Sequence, residues 1–246
     1  MNKLRDRVLS NNFCTYNPSS RPSFRRWDEI DASIYLLNQF IPGSVNYLDG
    51  YKDAYVKYNR NLILKYAHIE QIPPNLLAGV ARIEAGGKPD MWKLNTITMR
   101  QWREQAFNLD KTRSKGSNET STGIVAIQIR HVADMMGFDS NTLTTTDQLE
   151  IATCLQIDEF NIKMVARHLR DLILYDYPNA DTKNLTKEQY IMAGSRYNRG
   201  ITRKKGDFIR IMNTPPKLST TDEKKWISYG VSIYKRLDYL DNLLKG

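Results

Sequence analysis

Pro73-Pro74-Asn75-Leu76-Leu77-Ala78-Gly79-Val80-Ala81-Arg82-Ile83-Glu84-Ala85-Gly86-Gly87 is the stretch on which the reading of this chain turns. A proline pair presets the backbone for a first helical turn, and a glycine pair is a natural stop. Between them Leu76, Leu77, Val80, Ala81 and Ile83 leave almost no polar face, which describes a buried helix. Glu84 ends it. A carboxylate is favoured at a helix N-terminus and disfavoured at the C-terminus, where the dipole is negative. Apolar neighbours disfavour the charged form as well, so both effects are expected to hold a proton on Glu84, as a general acid needs. The alternative is a surface glutamate paired with Lys88 or Arg82.

Outward from this helix the pattern stays helical. One apolar stripe runs through Ile34, Leu37 and Phe40 until Pro42-Gly43. Another runs from Leu48 through Tyr51, Tyr55, Tyr58 and Leu62 to Tyr66, its tyrosines expected in the core. Capping boxes pair Thr145 with Gln148, opening a run to about Tyr175, then Thr186 with Gln189 and Thr220 with Glu223. The last segment places Trp226, Ile233, Leu237, Leu240 and Leu244 on one face. Residues 108–122 are almost wholly polar and read as a long exposed loop. The expected architecture is mainly α with little or no β-sheet. A polar, basic N-terminal arm, 1–26, precedes a single helical domain, 27–246.

The chain has 246 residues, 36 Lys and Arg against 27 Asp and Glu, two cysteines and three histidines. Cys14 and Cys154 make no disulfide framework, and His68, His131 and His168 are scattered, so neither a metal centre nor another cofactor is expected. No stretch approaches the roughly 20 apolar residues of a membrane span. The start, MNKLRDRVLSNNF, lacks the apolar block of a secretory signal. A surplus of +9 favours a polyanionic partner.

Three blocks occur in order: the helix ending Ile83-Glu84-Ala85, then Glu119-Thr-Ser121-Thr-Gly123 leading to Gln128-Ile129, then Ala193-Gly-Ser-Arg-Tyr197-Asn198-Arg-Gly200. Together they resemble the goose-type lysozyme and lytic transglycosylase superfamily over roughly residues 66–205. The resemblance implies a lysozyme-like helical fold around a central buried helix that carries the catalytic Glu84. It implies cleavage of the β-1,4 link between N-acetylmuramic acid and N-acetylglucosamine in peptidoglycan, without a cofactor. Ser121, Gly123, Gln128 and Asn198 would line the glycan cleft, and Tyr197 would hold Glu84 in position. The chain departs from the family in two places. Ala85 replaces the usual serine, and Gln128 matches the family glutamine only with two inserted residues, Ala126 otherwise standing there.

If Glu84 protonates the glycosidic oxygen, a second group decides the product. A transglycosylase needs none, because the muramyl 6-hydroxyl closes a 1,6-anhydro ring. An inverting hydrolase needs another carboxylate roughly 6.5–9.5 Å away. Glu119 is the first candidate for it, with Asp90 and Asp110 behind; the alternative for Glu119 is a solvated loop acid, and for Tyr197 a packing tyrosine. Two other classes compete: an inactive wall-binding relative, and a basic nucleic-acid-binding domain, which the dispersed basic residues disfavour. The partners expected are glycan strands, with no nucleic acid and no membrane insertion. A chain made in the cytoplasm without a signal and acting on the wall of a target bacterium points to a type VI secretion effector or a phage lysin. The effector option adds a secretion-machine carrier and a periplasmic immunity protein that plugs the cleft.

Overall fold

The computed structural model describes residues 11–15, 21–38, 40–41, 46–86, 96–97, 99–100, 116–215 and 217–245. Among them are eleven α-helices and one two-stranded sheet, so the protein is mainly helical, as expected. No helix of the described residues is long and apolar enough to cross a membrane. The chain divides into two compact units, Met1–Asn59 with Glu84–Met164, and Arg60–Ile83 with Val165–Gly246.

The first unit holds α1 (Glu29–Asn38), α2 (Tyr47–Tyr58), the hairpin β1 (Ser121–Thr122) and β2 (Ile127–Gln128), α5 (Ile129–Met135), α6 (Thr145–Cys154) and the start of α7 (Asp158–Asp176). Its core is built from Trp27, Tyr51, Tyr55 and Val56 and from Ile124, Val125, Ile127, Ile129, Val132 and Ile151 of the later segments. The apolar stripe of α1 is different: Leu37 is exposed, as is Phe40 beyond it. The described part of the N-terminal segment is packed in this unit. Phe13 meets Phe138 edge-on, and Phe24 sits among Tyr51, Tyr55 and Tyr58.

Cys14 and Cys154 are joined in a disulfide across 140 residues of sequence. Two isolated cysteines gave no sign of this, because spacing that long says nothing about proximity; the expectation that they form no framework is corrected to a single bridge. Asp158, 3% exposed, ties the same segment down at the start of α7. Its Oδ2 accepts the Phe24 backbone N–H (2.6 Å) and the Asn59 amide (3.1 Å), and Oδ1 lies 3.5 Å from Arg26. Burial pushes the Asp158 carboxyl pKa up, against the pull of Arg26 and these hydrogen bonds.

Three helix boundaries differ from the sequence pattern. The stripe from Leu48 to Tyr66 is two helices, α2 and α3 (Arg60–Glu70), parted at Asn59, whose buried amide is committed to Asp158. The run from 145 to about 175 is also two helices. After Cys154 the ladder tightens to three-residue bonds, Gln156 to Thr153 and Ile157 to Cys154. That break aims the Gln156 amide at Thr122 Oγ1 (3.1 Å) and lets α7 begin at Asp158. The first of the three caps shifts by one residue, to Thr144 with Asp147, because Gln148 is buried and donates to Leu143 O. Thr186 with Gln189 and Thr220 with Glu223 form capping boxes as expected. The stop at Pro42-Gly43 lies outside the described residues.

The second unit contains α3, most of α4 (Pro74–Glu84) and of α7, then α8 (Lys187–Arg199), α9 (Lys205–Asn213), α10 (Thr221–Tyr234) and α11 (Leu237–Lys245). Residues Leu76 to Ala81 of α4 are all buried. A β-carbon at Gly79 would lie 2.6 Å from Ile233 and 3.1 Å from Leu240, so the last two helices press directly on it. The Tyr190 hydroxyl donates to Asn75 Oδ1 (2.6 Å). α8 and α10 run antiparallel with Gly194 against Gly230, flanked by the ring pairs Tyr190–Tyr234 and Tyr197–Tyr229. Arg196 and Asp176 form a two-pronged ion pair, 1% and 2% exposed in their side chains (2.7 and 2.9 Å). The remaining Arg196 nitrogen donates to Arg203 O (2.6 Å) and Gly200 O (3.3 Å), closing the loop after α8.

Candidate active site

The segment after the polar loop folds on itself because its polar atoms find one another. Ser117–Glu119 is a single 3-10 turn in which Glu119 Oε2 accepts the Gly116 N–H at 3.2 Å. The chain then forms the hairpin, pairing Ser121 with Gln128 and Thr122 with Ile127. The Ile129 N–H continues the ladder to Thr120 O at 3.2 Å. Arg130 links the two sides: its NH1 donates to Glu119 Oε1 (2.7 Å) and its Nε to Gln128 Oε1 (2.8 Å). Glu119, Ser121, Gly123 and Gln128 are therefore brought together in one small cluster.

The turn of this hairpin requires glycine. Gly123 has φ +87°, and a β-carbon there would lie 2.6 Å from the Asn161 amide nitrogen and 2.9 Å from Leu155 O. Asn161, fully buried on α7, braces the turn from below. Its Oδ1 accepts the Val125 N–H and its Nδ2 donates to Val125 O, both at 3.0 Å. Thr120 Oγ1 accepts Arg100 (2.9 Å), and Thr122 Oγ1 accepts Gln156. Four side chains, Arg100, Arg130, Gln156 and Asn161, hold the hairpin, and Thr120 and Thr122 are buried, so this end of the polar stretch is not the exposed loop expected.

Glu84 is the last residue of α4 and is half-buried, at the end of the apolar helix where the pattern placed it. Directly after it, Ala85 is buried and Gly86 turns with φ +76° against Leu48, Trp27 and Tyr51. Glu84 belongs to the same compact unit as the hairpin, whereas Tyr197 and Asn198 belong to the second. Tyr197 is half-buried, with its ring 5.8 Å from His168 and 6.2 Å from Tyr229, and Asn198 is exposed. Asp90, Asp110 and the loop as far as 115 lie outside the described residues.

His131, beside this cluster, is half-buried, and burial first, then the Arg130 charge, push its pKa below the usual histidine value. Four contributors escaped sequence reasoning: Arg100, Arg130, Gln156 and Asn161. The one signal for Asn161 was a polar residue on the apolar face of a long helix; the others look like ordinary surface residues. No family model, curated protein or solved structure matches the chain.

Proposed function

We propose that the chain cleaves peptidoglycan glycan strands, with Glu84 as general acid and the Ser121–Gln128 hairpin as a wall of the glycan cleft. The observation that carries this reading is the hairpin itself. The segment picked out by the family resemblance is a turn held by Gly123 and Asn161, with Ser121 and Gln128 opposite each other in register. It shares a unit with a glutamate at the end of an apolar helix. A hydroxyl and an amide side by side suit the hydroxyl and acetamido groups of an amino sugar.

In this mechanism Glu84 donates its proton to the oxygen between the two sugars, and that C–O bond breaks. The muramyl C1 passes through an oxocarbenium-like state. The Glu84 carboxylate then takes the proton of the muramyl 6-hydroxyl as that oxygen bonds to C1, so the ring closes without water. The bonding of Glu119 supports this route over hydrolysis. One of its oxygens receives Arg130 and the other the Gly116 N–H, which suits a residue that holds the hairpin better than one that activates water. A role for Tyr197 and Asn198 rests on the resemblance alone.

The Cys14–Cys154 bridge supports an oxidising destination such as the bacterial periplasm, since cytosolic thiols stay reduced. Delivery as a secreted antibacterial effector or a phage-type lysin fits that destination. The test is digestion of purified peptidoglycan with mass spectrometry of the released muropeptides. Wild type should yield anhydromuramyl products, and Glu84→Gln should lose about 10²–10⁴-fold in rate, the usual worth of a general acid. Undiminished clearing by Glu84→Gln would refute the mechanism, and reducing-end products would refute the water-free route.

A further inference from the structure

We infer that the groove between α8, α9 and α10 receives an amphipathic helix of a partner protein whose polar face is acidic. This rests on the second unit alone and is independent of the wall-cleaving reading. The groove is open and has a volume of about 1000 Å³. Its floor is apolar, made by Ile191, Ile211, Met212, Ile227 and Val231. Its rim is cationic, with Lys187, Lys224, Lys235 and Arg236, all exposed. Lys224 and Lys235 make no ion pair among the described residues; Lys187 lies over the Tyr234 ring and Arg236 bonds to Ser232. Glu188 is the one acid in the lining, and its Oε1 already accepts the Tyr177 hydroxyl at 2.7 Å.

The charge distribution says what the rim would attract. The second unit carries 19 Lys and Arg against 10 Asp and Glu, a surplus of 9 that equals the surplus of the whole chain, 36 against 27. The first unit is therefore neutral overall, and long-range attraction for an anion is concentrated on the unit with the groove. The dimensions say what shape would fit. α8 and α10 are antiparallel, so Lys187, Lys235 and Arg236 mark one end and Lys224 the other. From 224 to 235 is eleven residues of helical rise, about 16 Å, or three turns of a facing helix. Such a helix would bury residues at i, i+3 or i+4, and i+7 on the floor and set carboxylates against both ends of the rim.

Two other polyanions fit less well. A membrane needs apolar side chains that protrude, but in the floor Ile191 and Ile211 are 4% and 3% exposed. Single-stranded nucleic acid needs stacking faces, and Tyr234 is the one aromatic residue in the lining; a duplex presents phosphates, which gain nothing from an apolar floor. The experiment titrates the full chain, labelled with ¹³C-methyl methionine, with a capped synthetic peptide of about 14 residues carrying Leu at the i, i+3, i+4, i+7 positions and Glu elsewhere. Saturable movement of the Met212 methyl signal is expected, weakened by about tenfold or more in Lys224→Glu/Lys235→Glu and regained when the peptide glutamates become lysines. An unmoved Met212 signal, equal binding of a scrambled peptide, or an undiminished double variant would overturn the proposal. So would binding of phosphatidylglycerol vesicles or duplex DNA, lost in the double variant, where the peptide does not bind.

Discussion

Replacing Gly230 by alanine tests the packing of the second unit most directly. In α10 this glycine lies against the backbone of Ile191 in α8. A β-carbon there would lie 2.7 Å from the Ile191 carbonyl carbon and 2.8 Å from its α-carbon, and closest of all to the carbonyl oxygen. Ordinary contact begins near 3.4 Å. The obstacle is backbone, so no rotamer change relieves it, and the two helices must part by about 1 Å along their whole line of contact. Overpacking of this kind costs typically about 1–3 kcal/mol, and a backbone obstacle puts Gly230 at the upper end. Alanine returns about 1 kcal/mol of helix propensity. The net loss is then about 2 kcal/mol, a drop of roughly 4–8 °C in Tm for a chain of this length. The assay is thermal unfolding followed by circular dichroism, with Gly50→Ala as control. Gly50 lies in α2 with open space where its β-carbon would sit, so the propensity gain alone should raise stability by about 0.5–1 kcal/mol. A Gly230→Ala protein that melts at or above the wild-type temperature would refute the close approach of α8 and α10.

Three further outcomes are expected. Cys14→Ser/Cys154→Ser should lower stability by about 2–5 kcal/mol in urea unfolding, because the bridge closes a loop of 140 residues and removes that freedom from the unfolded chain; an unchanged midpoint would mean the bridge does not form. Arg196→Met should cost about 3–5 kcal/mol by stranding the buried Asp176 carboxylate, and Arg196→Met/Asp176→Leu should recover much of that loss in the same measurement. The His131 ring should titrate below 6.5 by NMR. A histidine pKa lowered by folding means the folded state prefers the neutral ring, so its contribution to stability is present above 6.5 and is lost as pH falls through the folded pKa. Against His131→Phe, the wild type should lose stability on acidification through that window.

The helical character was legible because it is written in short-range patterns. The Pro73-Pro74 start, the run of apolar residues and the Gly86-Gly87 stop placed α4 and its terminal Glu84, and two capping boxes fell on the threonines expected. The breaks at Asn59 and at 155–157 were hidden. Each polar side chain involved there has a partner about a hundred or thirty residues away, Asn59 with Asp158 and Gln156 with Thr122. The candidate site divides the same way. Ser121, Gly123 and Gln128 were readable from their order in the chain, but the cross-strand register and the arginine clasp on Glu119 were not.

What the amino-acid sequence determined by itself is what depends on neighbours within about one helical turn: the helices, their caps, the apolar faces and the charge. Tertiary structure alone decided that Cys14 meets Cys154, that Asn161 holds the hairpin turn, and that all the surplus charge falls on the unit with the groove. Backbone propensity and capping are energies of adjacent residues. Disulfides, buried hydrogen bonds and grooves form only after distant segments have been brought together by burial of apolar surface, a force that is non-directional and leaves the choice of partners to the packing.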